Sequence, residues 1–219
     1  MNVILFGATG MIGQGVLREC LLDPGVRRVV IVGRTATGQQ HARIEEIVHG
    51  DLYDLSPIES KLTGLDACFF CLGITSAGIS EEEYTRVTYD LTMAAAEPLA
   101  RLNPGMTFIF VSGAGTDSTE RGRTMWARVK GRAENALLRM PFKAAYMFRP
   151  GIIQPLHGIR SKTKAYQIFY TIGGPLLPLL KRLFPRAITT TEQIGRAMLN
   201  VARHGAPSTI LDSAAIDRS

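Results

Sequence analysis

Three glycines in the first thirteen residues are the first in the chain whose spacing suggests chemistry. Gly7, Gly10 and Gly13 follow directly on the apolar run Val3–Phe6 and lead into Met11, Ile12, Val16 and Leu17, whose spacing is helical. A strand, a glycine turn and a helix in that order suit a phosphate. Gly7 lets the chain leave the strand in a tight turn, Gly10 clears the place where backbone must approach a pyrophosphate, and Gly13 lets the helix lie close on the strand. The N–H groups and positive dipole end of the helix then face the anion. The same triplet also serves in plain strand-to-helix turns. Here a second apolar run, Val29–Val32, follows it, which favours a dinucleotide.

Further along, polar groups recur just after apolar runs. Gly33-Arg34 follows the second run, where an Asp or Glu would bind both ribose hydroxyls of NAD and an arginine pairs with the extra 2′-phosphate of NADP. Arg34 thus points to NADP (NADPH) in preference to NAD, and Arg43 is a second candidate for the same phosphate. Asp51 is placed to accept the adenine amino group, with Leu52 against the apolar ring face; alternatively Asp51 only caps its turn. Leu72-Gly73-Ile74-Thr75 brings a glycine to where backbone can pass the cofactor ribose.

The elements that would hold these residues alternate from the first residue to about Pro150. Strands are expected at 3–6, 29–32, 44–48, 67–71, 107–111 and 144–148, and helices at 11–22, 56–62, 81–102 and 124–139. This is an α/β pattern of βαβ units, a doubly wound parallel (Rossmann) sheet with its crevice at the carboxyl ends of the strands. The chain is expected to form a single domain over 1–219, with 151–190 as a small C-terminal subregion beside the substrate cleft. Within it Tyr166–Phe184 is apolar but interrupted by Gly173, Gly174, Pro175 and Pro178, unlike a membrane span of about 20 unbroken apolar residues. It reads as a helix pair covering the cleft, with a partner surface or an interfacial membrane contact as alternatives, the last because Lys162, Lys164, Lys181, Arg182 and Arg186 flank it. Thr189–Thr191 then cap a helix to about His204, and 209–211 suits a closing strand.

Composition sets limits. At 219 residues, 46% hydrophobic and 20% charged, the chain can bury a sizeable core, and disorder is excluded. The net charge of +6 comes from 25 basic against 19 acidic residues; the basic residues are scattered, so no nucleic-acid partner is expected. Cys68 and Cys71 lie in ACFFCLG, where the pleat points them to opposite faces; with Cys20 they read as buried thiols. The dispersed His41, His49, His157 and His204 suggest no metal site. A first strand at the very start leaves no room for a signal peptide, and a reducing cytoplasm is expected.

Taken together, GATGMIGQG, VGR, HGDL, CLGIT, VSGAGTD, VKGRAE and FRPGII, each at its place in the alternation, resemble the atypical or extended short-chain dehydrogenase/reductases, in particular the NAD(P)-binding, NmrA-like and Tat-interacting-protein-like branch. The resemblance covers Met1 to about Ile153. It implies cofactor contacts from Gly7, Thr9, Gly10, Met11, Ile12 and Gly13, from Arg34, Asp51, Leu52, Leu72 and Gly73, from Lys130 through the nicotinamide ribose, and from Pro150 and Ile152 at the nicotinamide amide. Ser112 would hydrogen-bond a substrate carbonyl, with Thr116 a weaker candidate. Active members of the family pair a tyrosine with a lysine four residues on, the phenol exchanging a proton with the substrate oxygen. Lys130 matches the lysine, but Trp126 stands in place of the tyrosine, and an indole N–H does not titrate in this range. A tyrosine from elsewhere, such as Tyr84 or Tyr166, would have to replace it. Two functions follow: an NADP-dependent oxidoreductase on an unidentified small carbonyl or alcohol, with an altered active site, or a non-catalytic NADP(H) sensor that meets a protein partner or a second copy. A sugar-nucleotide epimerase ranks below both, because it too wants the tyrosine.

Overall fold

The computed structural model describes residues 1–159 and 188–219. Its strands are β1 (Asn2–Phe6), β2 (Arg28–Gly33), β3 (Ile44–Val48), β4 (Ala67–Phe70), β5 (Thr107–Val111), β6 (Ala144–Arg149), β7 (Ile152–Gln154), β8 (Ile188–Thr190) and β9 (Ile210–Asp212). The larger sheet runs β3-β2-β1-β4-β5-β6-β9, parallel throughout, and β7 pairs with β8 in a separate parallel ribbon. The order reverses direction between β1 and β4, so the expected doubly wound architecture is present, with its crevice at the carboxyl ends of those two strands.

Helices cover both faces of the sheet because its strands are apolar on both. Ile4 and Phe6 turn one way with Val30, Val32, Phe70, Phe108 and Phe110, while Val3 and Leu5 turn the other way with Val29, Ile31, Phe69, Ile109 and Phe148. The first face is covered by α3 (Leu91–Leu102) and α4 (Met125–Leu138), through Leu99, Ala133 and Leu137. The second is covered by α1 (Met11–Leu22), α5 (Thr191–His204) and α6 (Ser213–Arg218), through Val16, Leu17, Ile194, Met198 and Ile216. Cys68 faces the first layer and Cys71 packs against the second, as the alternation requires. Burial pushes the Cys20 thiol up to about 12 and those of Cys68 and Cys71 well above their ordinary value.

Helices α1 and α5 cross at a distance only glycine permits. A Cβ on Gly15 would stand 2.7 Å from Thr191 Cβ, and one on Gly195 would stand 2.7 Å from Glu19 Cγ. Helix α5 begins where the threonines indicate: Thr190 Oγ1 accepts from Gln193 N at 3.0 Å, and Gln193 Oε1 accepts from Thr190 N at 3.1 Å. The helix expected over 81–102 is divided into α2 (Glu81–Thr85), a π-helical turn at Arg86–Asp90 and α3. There the Thr92 hydroxyl takes the Thr88 carbonyl at 2.7 Å, a side-chain bond that competes with the regular ladder. The ribbon β7–β8 and helix α6 escape the sequence patterns, being too short to show a period. The segment Tyr166–Phe184, with Tyr166, lies outside the described residues.

One ion pair fastens α4 to the end of β6. Glu134 is wholly buried and receives Arg149 Nε at 3.0 and 3.1 Å on its two oxygens, with a further bond from Arg149 Nη2. Removing one partner strands the other charge, so Arg149→Met is expected to lower stability by about 3–5 kcal/mol. The double change Glu134→Leu with Arg149→Met should recover most of that loss. Urea unfolding followed by circular dichroism distinguishes this from a simple packing loss, in which the double variant would be the worse of the two.

Candidate functional site

The parallel sheet delivers Gly7, Arg34, Asp51, Leu72, Ser112 and Pro150 to one edge, since each follows the carboxyl end of a strand. At the centre is the glycine turn. Gly7 has φ +81°, and a Cβ there would lie 2.7 Å from the backbone of Cys71 and Leu72, so the exit of β4 runs hard against the turn. A Cβ on Gly13 would stand 2.0 Å from the Gly7 carbonyl oxygen, which fixes that residue for helix packing as expected. Gly10 is different: a Cβ would meet only the Gly7 oxygen at 3.2 Å. Protein packing alone therefore demands less at Gly10 than at its two companions, as it would where the space is kept for a ligand.

Gly10 is also the N-cap of α1. It supplies no capping side chain, and no acidic residue occupies the first turn. The amides at the start of the helix are thus left without a side-chain acceptor, beside partly exposed Thr9, Met11 and Ile12. Such a terminus suits the two phosphates of a dinucleotide.

Toward the adenosine end, the two candidate arginines separate. Arg34 is exposed, and among the described residues it has neither an ion pair nor a hydrogen bond. Arg43 is committed: its guanidinium donates to Asp23 O at 2.7 Å, to Val26 O and to Leu21 O, closing the carboxyl end of α1. The expectation that Arg43 serves a cofactor phosphate is corrected on that ground. Asp51 is exposed, and its Oδ1 caps the backbone N–H of Tyr53 at 2.9 Å, while Leu52 is buried in the core. Asp51 and Tyr53 line one side of a cavity of about 460 Å³ whose other side is Thr85, Arg86 and Asp90. The Arg86 guanidinium lies 5.4 Å from the Tyr53 ring centre. Neither residue stands out in the sequence, because the π-helical turn that presents Arg86 has no pattern of its own.

Toward the other end, Ser112, Lys130, Trp126 and Pro150 are brought together. Lys130 Nζ donates to Ser112 O at 2.9 Å, and the Trp126 indole reaches to within 3.5 Å of where a Cβ on Gly115 would be. Ala114 N donates to Pro150 O at 2.9 Å, and Gly151 N to Ser213 Oγ at 2.8 Å, so the turn after β6 is tied on both sides. Ile152 stays 41% exposed beside it. Burial draws the Lys130 ammonium down to about 8, opposed by the charge of Glu134. Thr116 Oγ1 donates to Gly113 O at 2.8 Å, so the 2.8 Å contact between Ser112 Oγ and Thr116 Oγ1 uses the proton of Ser112. Ser112 Oγ is thus left with acceptor capacity only.

The loop carrying these groups is rigid. Asp117 Oδ atoms accept from the Thr119 hydroxyl at 2.7 Å, from Gly122 N at 2.6 Å and from Thr119 N at 2.9 Å, bonds that hold the carboxyl down at about 2. The Asp117 carbonyl presses on α4 where a Cβ on Gly131 would be 1.8 Å away, a close pass that the sequence VKGRAE conceals.

Comparison with known proteins bears on this geometry. The family model described as "NAD dependent epimerase/dehydratase family" matches residues 3–121. The chain is 29% identical over 206 residues to "Protein fmp52, mitochondrial" of Emericella nidulans, covering 91% of this chain and 86% of that protein. It is 28% identical over 156 residues to "Protein HTATIP2" of Rattus norvegicus, covering 69% and 62%. Among solved structures, "MoeE5 in complex with UDP-glucose and NAD" superimposes with a TM-score of 0.72 at 17% identity, covering 97% of this chain and 75% of that one. The expectation of a cytoplasmic protein is overturned by the relatives, several of which are named mitochondrial. The resemblance carried by the ordered motifs is borne out, and the chain belongs to the NAD dependent epimerase/dehydratase family, with the Rossmann fold of the short-chain dehydrogenase/reductases.

Proposed function

We propose that this chain binds NADP(H) and is an oxidoreductase acting on a small carbonyl or alcohol through an altered active site. The observation that carries the reading is the uncapped start of α1 in its glycine cradle, with the unpartnered Arg34 at the end of the neighbouring strand. Gly7, Thr9, Gly10, Met11, Ile12 and Gly13 would hold the pyrophosphate, Arg34 the 2′-phosphate, Asp51 and Leu52 the adenine end, Leu72 and Gly73 the ribose, and Lys130, Pro150 and Ile152 the nicotinamide side. A bound dihydronicotinamide supplies hydride. What the chain itself contributes is orientation: the tied turn after β6 and the rigid loop after β5 hold Lys130 and Ser112 at one place.

A second reading is a non-catalytic NADP(H) sensor, favoured by one observation, Trp126 in place of the phenol. Ligand would then favour one conformation and alter affinity for a protein partner or another copy of this chain. A sugar-nucleotide epimerase would meet the same missing phenol.

Trp126 is the sole tryptophan in the chain, so quenching of its emission by NADPH, whose absorption overlaps it, reads occupancy of the site. Arg34→Ala is expected to weaken NADPH about 10- to 100-fold, the effect of one charge-assisted pairing of about 1.5–3 kcal/mol. NADH should bind the variant as it binds the parent; equal effects on the two nucleotides would rule out a 2′-phosphate contact. Turnover separates the two readings: oxidation of NADPH in the presence of 4-nitrobenzaldehyde or 9,10-phenanthrenequinone supports the oxidoreductase, and tight binding without oxidation supports the sensor.

A further inference from the structure

The candidate acids near the carboxyl end of β5 among the described residues can be taken in turn. The Trp126 N–H does not titrate near neutrality. The Ser112 proton is engaged by Thr116, and the Thr116 proton by the Gly113 carbonyl. Cys71, one strand away, has its thiol pushed up by burial, and His157 is turned away to Glu192 at 2.6 Å. Tyr84 is buried on α2 and has an interaction of its own. Lys130 differs from all of these. Its ammonium carries three donors, one of which is fixed on the Ser112 carbonyl at 2.9 Å, and no other bond is made by it among the described residues.

We propose that Lys130 is itself the proton donor of this site, replacing the missing phenol, a reading that rests on the oxidoreductase function above. Lys130 Nζ gives a proton to the carbonyl oxygen as the carbonyl carbon accepts hydride from the dihydronicotinamide. The C=O π bond breaks while a C–H and an O–H bond form; the carbonyl is reduced to an alcohol, the nucleotide is oxidised, and the neutral amine regains its proton from solvent. The bond to Ser112 O steadies the amine through both protonation states, because that carbonyl is a fixed acceptor on the strand end. Burial eases release of the proton near neutral pH. The charge acting on the ammonium is that of Glu134, one turn along α4, and Arg149 of β6 holds that carboxylate in turn. From the end of β5 the amine meets the backbone carbonyl of Ser112.

Two measurements test this. Competitive acetylation of the unliganded protein, read peptide by peptide by mass spectrometry between pH 6 and pH 11, should place the midpoint of Lys130 reactivity at about 8; a midpoint two or more units higher overturns the proposal. Steady-state NADPH oxidation with 4-nitrobenzaldehyde should be level below that midpoint and fall about tenfold per pH unit above it, because the protonated amine is the donor. Lys130→Arg keeps a cationic donor for the nicotinamide side but cannot release a proton, so kcat should drop about 100-fold or more at saturating NADPH, saturation being read from the quenching of Trp126. Turnover retained by Lys130→Arg, or abolished instead by Tyr84→Phe, overturns the proposal and leaves the oxidoreductase reading standing. Absence of turnover in the unaltered protein, with NADPH bound, overturns both.

Discussion

The contact on which the rest depends is backbone against backbone: the carbonyl of Gly7 lies where any side chain on Gly13 would have to be. It draws the first turn of α1 onto the end of β1, and so aims that helix start at the sheet edge where the strands finish. The exit of β4 presses on Gly7 from the other side. The uncapped start of α1, the exit of β4 and the switch in strand order therefore coincide, because three pieces of main chain are closer together than side chains would permit. The second close crossing, Gly15 and Gly195 between α1 and α5, braces the same helix from behind.

The reactive end is arranged differently. There the positions are set by polar ties: Arg149 on Glu134, Asp117 on its own loop, Ser213 on Gly151 and Lys130 on Ser112. Each tie uses groups that are partly or wholly removed from water, where an unpaired partner is costly. Trp126 fits this frame by filling space over the Gly113–Gly115 turn. It presents a broad apolar surface at the position where the resemblance leads one to expect a phenol.

Much of this was legible in the order of residues. The limits of α1 and α5 follow from hydrophobic period and caps, because each is long enough to repeat its pattern and starts at a glycine or threonine cap. The glycine roles were readable for the same reason. What escaped depends on tertiary partners. Arg34 and Arg43 look alike as letters, but only the fold turns Arg43 onto the end of α1. Ser112 reads as a donor until Thr116 is seen to take its proton. The π-helical turn at Arg86–Asp90, beside which the Thr92 hydroxyl bonds back to the Thr88 carbonyl, is encoded by no spacing rule. Ser213 and its bond to Gly151 join residues 62 positions apart.

The ribbon β7–β8 has a topological consequence. Ile152 pairs with Ile188 and Gln154 with Thr190, so two stretches far apart in the chain are held side by side outside the larger sheet. In general, each doubling of the length of chain that joins two such paired ends costs only about 0.6 kcal/mol. A pairing of this kind therefore sets little limit on the length of chain that its ends can join.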